Sequence, residues 1–267
     1  MTDTTIILTA YNKLNYTKLA VESLLANTPD DYELFLIDNG STHDTYEYFQ
    51  SVRNYHTHLQ IIRFEENQIV EDAANMAASR ATGKYLVMAT NDIVFPKRWL
   101  ECALGHFERT PDLGMLGVRS NSIGDPVALL PATYKTLDEF QEVAAAWSRD
   151  HHGEQFFTQR VVGMLAVMRA EAFNGVGGFD PELPTNGKDG GYGFSDDDIS
   201  IRMLIEGWKL AIANDIVVHH FGSVTVGQGN LSAGMEVNRK KFLEKLKKNP
   251  DVHVSPDGRL TFSRKRI

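Results

Sequence analysis

The chain is predicted to be an α/β protein whose mostly parallel central sheet is flanked by helices. Five short apolar runs recur with starts about 25–30 residues apart, the length of a strand plus its crossover helix. Stretches of helical periodicity lie between them. Alternating strands and helices leave few ways to bury both element types other than a parallel sheet covered on its faces.

Ile6–Ala10 is the first expected strand. The connector after it carries Tyr16, Leu19, Ala20, Ser23 and Leu24 at helical spacing, with Asn15 as the expected N-cap. Leu34–Ile37, Leu59–Phe64, Tyr85–Ala89 and Met115–Val118 are the next strands. Lys97–Arg109 reads as a helix with Pro96 at its start. The second half is less regular. Thr136–Ser148 is helical, Val161–Met168 is a buried strand, and Gly175–Gly193 is a loop with seven glycines. Asp197–Glu206 returns to helix and ends at Gly207, and Leu210–Ala213 and Ile216–His219 are short strands. Ser232–Lys248 is an amphipathic helix stopped by Asn249 and Pro250.

Composition bounds the function. With 267 residues, 42% hydrophobic and 23% charged, the chain can form one large core that buries about 70–75% of its unfolded surface. No apolar run approaches the roughly 20 residues that span a bilayer, and Met1–Thr5 lacks the basic start and apolar core of a signal peptide. The lone Cys102 excludes an internal disulfide and a CxxC metal site. A cytoplasmic location is expected. The net charge of −8 argues against a nucleic-acid partner. Residues 239–267 nevertheless carry +7, leaving −15 on residues 1–238. The plain reading is a solvated basic helix and tail. A second reading takes Arg239, Lys240, Lys241, Lys245, Lys247 and Lys248 with the apolar Phe242, Leu243 and Leu246 as a surface for reversible contact with an anionic membrane face, near a lipid-linked or cell-envelope acceptor.

In open parallel sheets ligands bind beyond the carboxyl ends of the strands. There the first run delivers Thr9-Ala10-Tyr11-Asn12, the second Asp38-Asn39-Gly40-Ser41 and the fourth Thr90-Asn91-Asp92. Asp38 and Asp92 each follow an apolar run directly, although either fits a turn or a helix cap. Neither GxGxxG after the first run nor GxxxxGK[ST] occurs, which counts against a nicotinamide dehydrogenase and a P-loop NTPase. A bound diphosphate then needs another holder, and a hard divalent cation on Asp92 is the candidate. Asp196-Asp197-Asp198 and His219-His220 are two further clusters. The acidic triplet equally suits a helix N-terminus.

Read in order, these pieces resemble family 2 glycosyltransferases of the GT-A fold. The residues that carry the resemblance are Ile6-Ile7-Leu8-Thr9-Ala10-Tyr11-Asn12, Ile37-Asp38-Asn39-Gly40-Ser41-Thr42, Gly83-Lys84-Tyr85-Leu86-Val87 leading to Asn91-Asp92, Gly177-Gly178-Phe179-Asp180, Asp196-Asp197-Asp198-Ile199-Ser200-Ile201-Arg202 and His220-Phe221-Gly222-Ser223. The match spans roughly residues 5–225. It implies one domain over 1–231, with a nucleotide-binding half at 1–118 and an acceptor half at 119–231, followed by the basic helix and tail at 232–267.

By this resemblance Thr9, Tyr11 and Asp38 line the nucleotide pocket with Ala10, Asn12 and Asn91, and Asp38 accepts a hydrogen bond from base or ribose. Asn67 and Asn75 match paired asparagines on the helix before the fourth strand. Thr90-Asn91-Asp92 aligns with the Asp-x-Asp metal motif, with Thr90 in place of the first acid. His220 matches a metal-shell histidine, with His219 as the alternative. The Glu-Asp pair falls on Ser195-Asp196, and Asp198 and Arg202 match the residues that follow it. The catalytic base is therefore Asp196 or Asp197, and the spacing to Asp198 and Arg202 favours Asp196.

The implied activity is inverting transfer from a nucleotide-diphosphate sugar, UDP-sugar favoured, with Mn²⁺ or Mg²⁺, to a hydroxyl on a saccharide, lipid-linked or protein acceptor. The glycine-rich 175–193 segment suits a loop that orders over bound donor. Two rivals stay open. A sugar-nucleotide pyrophosphorylase would carry a glycine- and arginine-rich loop where this chain has Ala10-Tyr11-Asn12-Lys13-Leu14. A non-catalytic glycan- or nucleotide-binding relative would explain Thr90 and Ser195 in place of acids.

Overall fold

The computed structural model describes residues 3–29, 31–183, 192–222, 231–254 and 260–263. Its elements in chain order are β1 (Thr4–Ala10), α1 (Leu14–Asn27), β2 (Glu33–Asn39), α2 (Thr45–Val52), β3 (Leu59–Phe64) and α3 (Val70–Ala78). Then come β4 (Tyr85–Thr90), β5 (Ile93–Val94), α4 (Trp99–Arg109), β6 (Leu113–Ser120), α5 (Leu137–Asp150) and β7 (Gln155–Thr158). The remainder is β8 (Leu165–Arg169), α6 (Ala170–Gly175), α7 (Ser195–Ile205), β9 (Lys209–His220), α8 (Leu231–Lys248), β10 (Val252–Val254) and β11 (Leu260–Phe262).

The large sheet has the order β3-β2-β1-β4-β8-β6-β9-β5, with β7 also paired to β9. β3, β2, β1 and β4 are mutually parallel, as the strand–helix alternation predicts. β8 then enters antiparallel between β4 and β6, and β6 runs parallel to β9. The first half is thus a parallel layer and the second half a mixed one. Alternation along β1 explains the two cores: Ile6 and Leu8 face α1, α2 and α4, while Ile7 faces α3, α6 and α7.

Several expectations need correction. The cap of α1 is Lys13 in a left-handed conformation, not Asn15, because the chain turns sharply at Asn12 and Lys13 to leave the sheet edge. α4 likewise starts at Trp99 after a left-handed Arg98. Val161–Met164 is a turn rather than strand, and β8 begins at Leu165. The two short strands at 210–219 are one strand, β9, with a register shift opposite Val118 and Arg119. Asn214 and Asp215 look like a break in the sequence but are buried in that irregularity.

Phe242 and Leu246 of the apolar stripe on α8 are buried against Ile201 and Ile205 of α7, while Leu243 stays half-buried, so most of the stripe packs inside the fold. Lys245 anchors the same contact, 2.5 Å from both Asp180 and Asp198. No helix among the described residues is long and apolar enough to cross a membrane.

Candidate functional site

Parallel registry gathers polar side chains at one sheet edge. β1 sets Ala10 beside Asp38 of β2 and Thr9 beside Thr90 of β4, while β2 sets Asp38 beside Arg63 of β3. Asp38 is fully buried. Its Oδ1 accepts the Ser41 N–H at 2.9 Å, whereas Oδ2 has no hydrogen-bond partner and only the Arg63 guanidinium at 3.9 Å. A buried carboxylate oxygen without a donor is costly, and a ribose hydroxyl or base N–H is the kind of group that satisfies it. Tyr11 is half-buried just past β1.

Other predicted pocket residues hold the loops together. The Asn12 N–H donates to Ser41 Oγ at 2.8 Å, and its Oδ1 accepts from Thr42 N–H and hydroxyl at 2.9 and 3.1 Å. Asn91 donates to Thr17 Oγ1 at 2.8 Å and lies inside the core. Asn67 precedes α3 rather than sitting on it, and accepts from Asn39 Nδ2 at 3.0 Å. Gly40, at φ +78°, allows this approach, because a Cβ there would collide with the Glu66–Asn67 backbone. Asn75 clamps Phe179 through both ends of its amide, at 2.8 and 2.9 Å. Its amide is thereby committed to positioning the Gly177-Gly178-Phe179 segment.

Asp92 is 2% exposed. The Thr90 hydroxyl donates to its Oδ1 at 2.7 Å, so Thr90 orients the carboxylate although it supplies no charge. Oδ2 faces His220 Nε2 at 3.3 Å. His220 Nδ1 donates to the Ser122 carbonyl at 2.7 Å, which points Nε2 at Asp92. Burial lowers the His220 pKa, but the hydrogen bond and charge of Asp92 outweigh it and the net direction is upward. A carboxylate oxygen and an imidazole nitrogen facing each other across a proton's width are a donor set that a divalent cation fits by displacing that proton. His219 does not join them. It points to the opposite face of β9, against Phe140 and Phe221, with Nδ1 2.7 Å from Tyr134 Oη. Strand alternation separates the two histidines, and His219 does not face Asp92.

The acidic triplet opens α7. Asp196 is half-buried, and its pKa is pushed up to about 6, chiefly by burial, with the Gly163 N–H and the Arg160 charge pulling the other way. That N–H donates to Asp196 Oδ2 at 3.0 Å, and a Cβ on residue 163 would overlap the carboxylate. Asp197 instead pairs with Arg160 at 3.0 Å, and burial raises its pKa against that partner. Asp198 is buried between Arg202 and Lys245.

The neighbouring residues Gly163 and Met164 link the two clusters. Met164 C=O accepts from the Thr90 N–H at 3.0 Å, while the Gly163 N–H holds Asp196. Sequence reasoning missed Arg160, Gly163 and Ser122, which carry no motif and arrive through long-range pairing. Ser223 and residues 184–191 of the glycine-rich loop lie outside the described residues.

The chain is similar to known sugar-transfer proteins. A glycosyltransferase of Rickettsia felis is 30% identical over 107 residues, 40% of this chain and 17% of that protein. The chain thus spans about a sixth of that relative's length. Among solved structures, GalNAc-T7 with UDP, GalNAc and Mn²⁺ superposes with TM-score 0.68 at 16% identity, over 91% of this chain and 48% of that one. A mannosyltransferase of Pyrobaculum calidifontis in complex with GDP-Man and Mn²⁺ gives 0.63 at 19% identity, over 92% and 65%. These likenesses establish a shared GT-A fold. The sequence profile described as "Glycosyl transferase family 2" matches residues 5–174, most of the chain and all of the sheet edge that carries Asp38 and Asp92, and by that match the chain belongs to glycosyltransferase family 2.

Proposed function

We propose that the protein transfers a sugar from a nucleotide-diphosphate sugar to an acceptor hydroxyl with inversion, with Asp196 as the base. The observation that carries this reading is the Gly163–Met164 link, which ties a carboxylate of raised pKa to the Asp92–His220 pair. Asp38 Oδ2 takes a hydrogen bond from the base or ribose and Arg63 balances its charge. A divalent cation held by Asp92 and His220 would supply positive charge against the departing diphosphate.

The acceptor hydroxyl gives its proton to Asp196 as its oxygen bonds to the anomeric carbon. The bond from that carbon to the diphosphate oxygen breaks on the opposite face, and its electron pair leaves with the nucleotide. A base near pKa 6 is ionised at neutral pH yet strong enough to take the proton late in the attack. Asp197, neutralised by Arg160, is a poor rival for that role.

UDP is the favoured nucleotide, and both UDP and GDP occur in the similar structures. The acceptor is a saccharide, free or carried on lipid or protein. A panel of UDP, GDP, dTDP and CMP donors, scored by thermal shift with and without Mn²⁺, tests the reading. The expected result is Mn²⁺-dependent stabilisation by one nucleoside-diphosphate class. Stabilisation by none of the donors would overturn it.

A further inference from the structure

A second group of ligating side chains lies away from the donor edge. Cys102 on α4, His152 in the turn between α5 and β7, and Asp215 in β9 bring their ligand atoms within 4.8 Å of one another. Asp215 precedes His220 by five residues along β9, up to roughly 16 Å of strand. The catalytic proposal uses none of the three.

The state of Asp215 is unusual. Its side chain is fully buried, and so is that of His106, whose Nε2 lies 2.7 Å from Oδ1. Arg109 Nη2 approaches His106 Nδ1 at 3.3 Å, and a guanidinium can only donate. His106 Nε2 therefore donates to Asp215 Oδ1. The other oxygen, Oδ2, accepts the Gly153 N–H at 2.7 Å and has His152 Nδ1 at 3.9 Å. Both oxygens of this buried carboxylate are thus held in place by hydrogen bonds.

Cys102 completes the picture. It is buried, with Ser148 Oγ at 3.9 Å from its sulfur. Burial, then the Asp215 charge, push its thiol pKa up, so without metal the sulfur keeps its proton. A cation placed among the three groups reverses that preference, and loading releases the thiol proton to solvent.

We propose that Cys102, His152 and Asp215 form a binding site for a zinc-type divalent cation, separate from the donor's metal. One thiolate, one imidazole and one carboxylate are a ligand set for a borderline-soft ion, whereas Mn²⁺ and Mg²⁺ prefer oxygen. Tetrahedral zinc holds its ligand atoms roughly 3.3–3.8 Å apart. His152, whose side chain is 68% exposed, is free to close the remaining gap and leaves a position for water. His106 and Gly153 orient the carboxylate, as outer partners do in metal sites. The ion would fasten α4, the α5–β7 turn and β9 together.

The test uses the whole protein, stripped with chelator and free of nucleotide. Saturating Zn²⁺ alone should raise the melting temperature by about 5 °C. Cys102→Ser and the exposed His152→Ala should each abolish the shift, and Asp92→Asn should keep it. Co²⁺ should give a thiolate-to-metal charge-transfer band in the wild type that Cys102→Ser lacks. Absence of both signals in the wild type, or their persistence in both variants, overturns the site. A Zn²⁺ response lost in Asp92→Asn and kept in Cys102→Ser overturns it too, by placing the ion at the donor edge.

Discussion

Asp196 holds a proton more tightly in the folded chain than an ordinary aspartate does, because burial outweighs the Gly163 hydrogen bond and the Arg160 charge. In the proposed role of base it must be ionised, so turnover should fall as pH drops through about 6 and be level above it. The same shift has a stability sign. A folded pKa above the unfolded value contributes stability that is present below about pH 4 and is lost as pH rises through about 6. Above that, ionising Asp196 costs up to about 3 kcal/mol. Asp196→Asn keeps an acceptor for the Gly163 N–H and removes that cost. Calorimetry should find the variant more stable than wild type by a few degrees at pH 7.5, with the gap closing near pH 4. A gap that persists unchanged at low pH would contradict the burial argument. Asp197 pairs with Arg160, and Asp197→Asn should retain more than a tenth of the wild-type turnover.

Lys245 shows what the C-terminal helix does within the fold. It joins Asp180 and Asp198, and Asp198 in turn holds Arg202, whose Nη1 donates to Val176 O at 2.6 Å. α8 thereby braces both α7 and the segment after α6. Lys245→Met leaves Asp198 with one partner fewer in a buried place. Urea unfolding should register a loss of about 1–3 kcal/mol, less than for a fully buried pair because Lys245 is about a third exposed. The exposed Lys247→Met should stay within about 0.5 kcal/mol of wild type. Equal effects would remove the bracing role.

The elements differ in how far the sequence announces them. β1, β2 and β4 are buried on both faces or nearly so, and their apolar runs declare them, whereas β3, at the sheet edge, exposes Gln60 and Arg63 between its apolar residues. β7 is an edge strand with Phe157 60% exposed, so no run marks it. β9 is interrupted by Asn214 and Asp215, whose polarity imitates a turn while their side chains are satisfied by Glu154 and His106 across the fold. The stripe on α8 is readable, but nothing local says that α7 covers it. At the site, Asp38 stands out because it ends an apolar run, and Asp92 because it follows one within three residues. The choice of His220 over His219 needed strand direction, and Arg160 and Gly163 needed the long-range approach of the β7–β8 connection to α7.

Across the molecule, three loops meet at the parallel sheet edge, and the second half of the chain brings His220 and Asp196 to it. One carboxylate and one imidazole are too few protein ligands to hold a hard cation firmly by themselves. Mn²⁺ should therefore stabilise the protein appreciably only when a nucleoside diphosphate is present, and Asp92→Asn should abolish that synergy in a thermal-shift titration. Stabilisation by Mn²⁺ alone, equal with and without nucleotide, would contradict the assignment. The most direct test of the central claim is release of nucleoside diphosphate from a nucleotide-sugar donor in the presence of Mn²⁺. The account predicts release by the wild type, a fall of about 10²–10⁴-fold in Asp196→Asn, and an unchanged nucleotide-dependent thermal shift in that variant. Release that is as fast in Asp196→Asn as in the wild type, or no release from any donor, would contradict it.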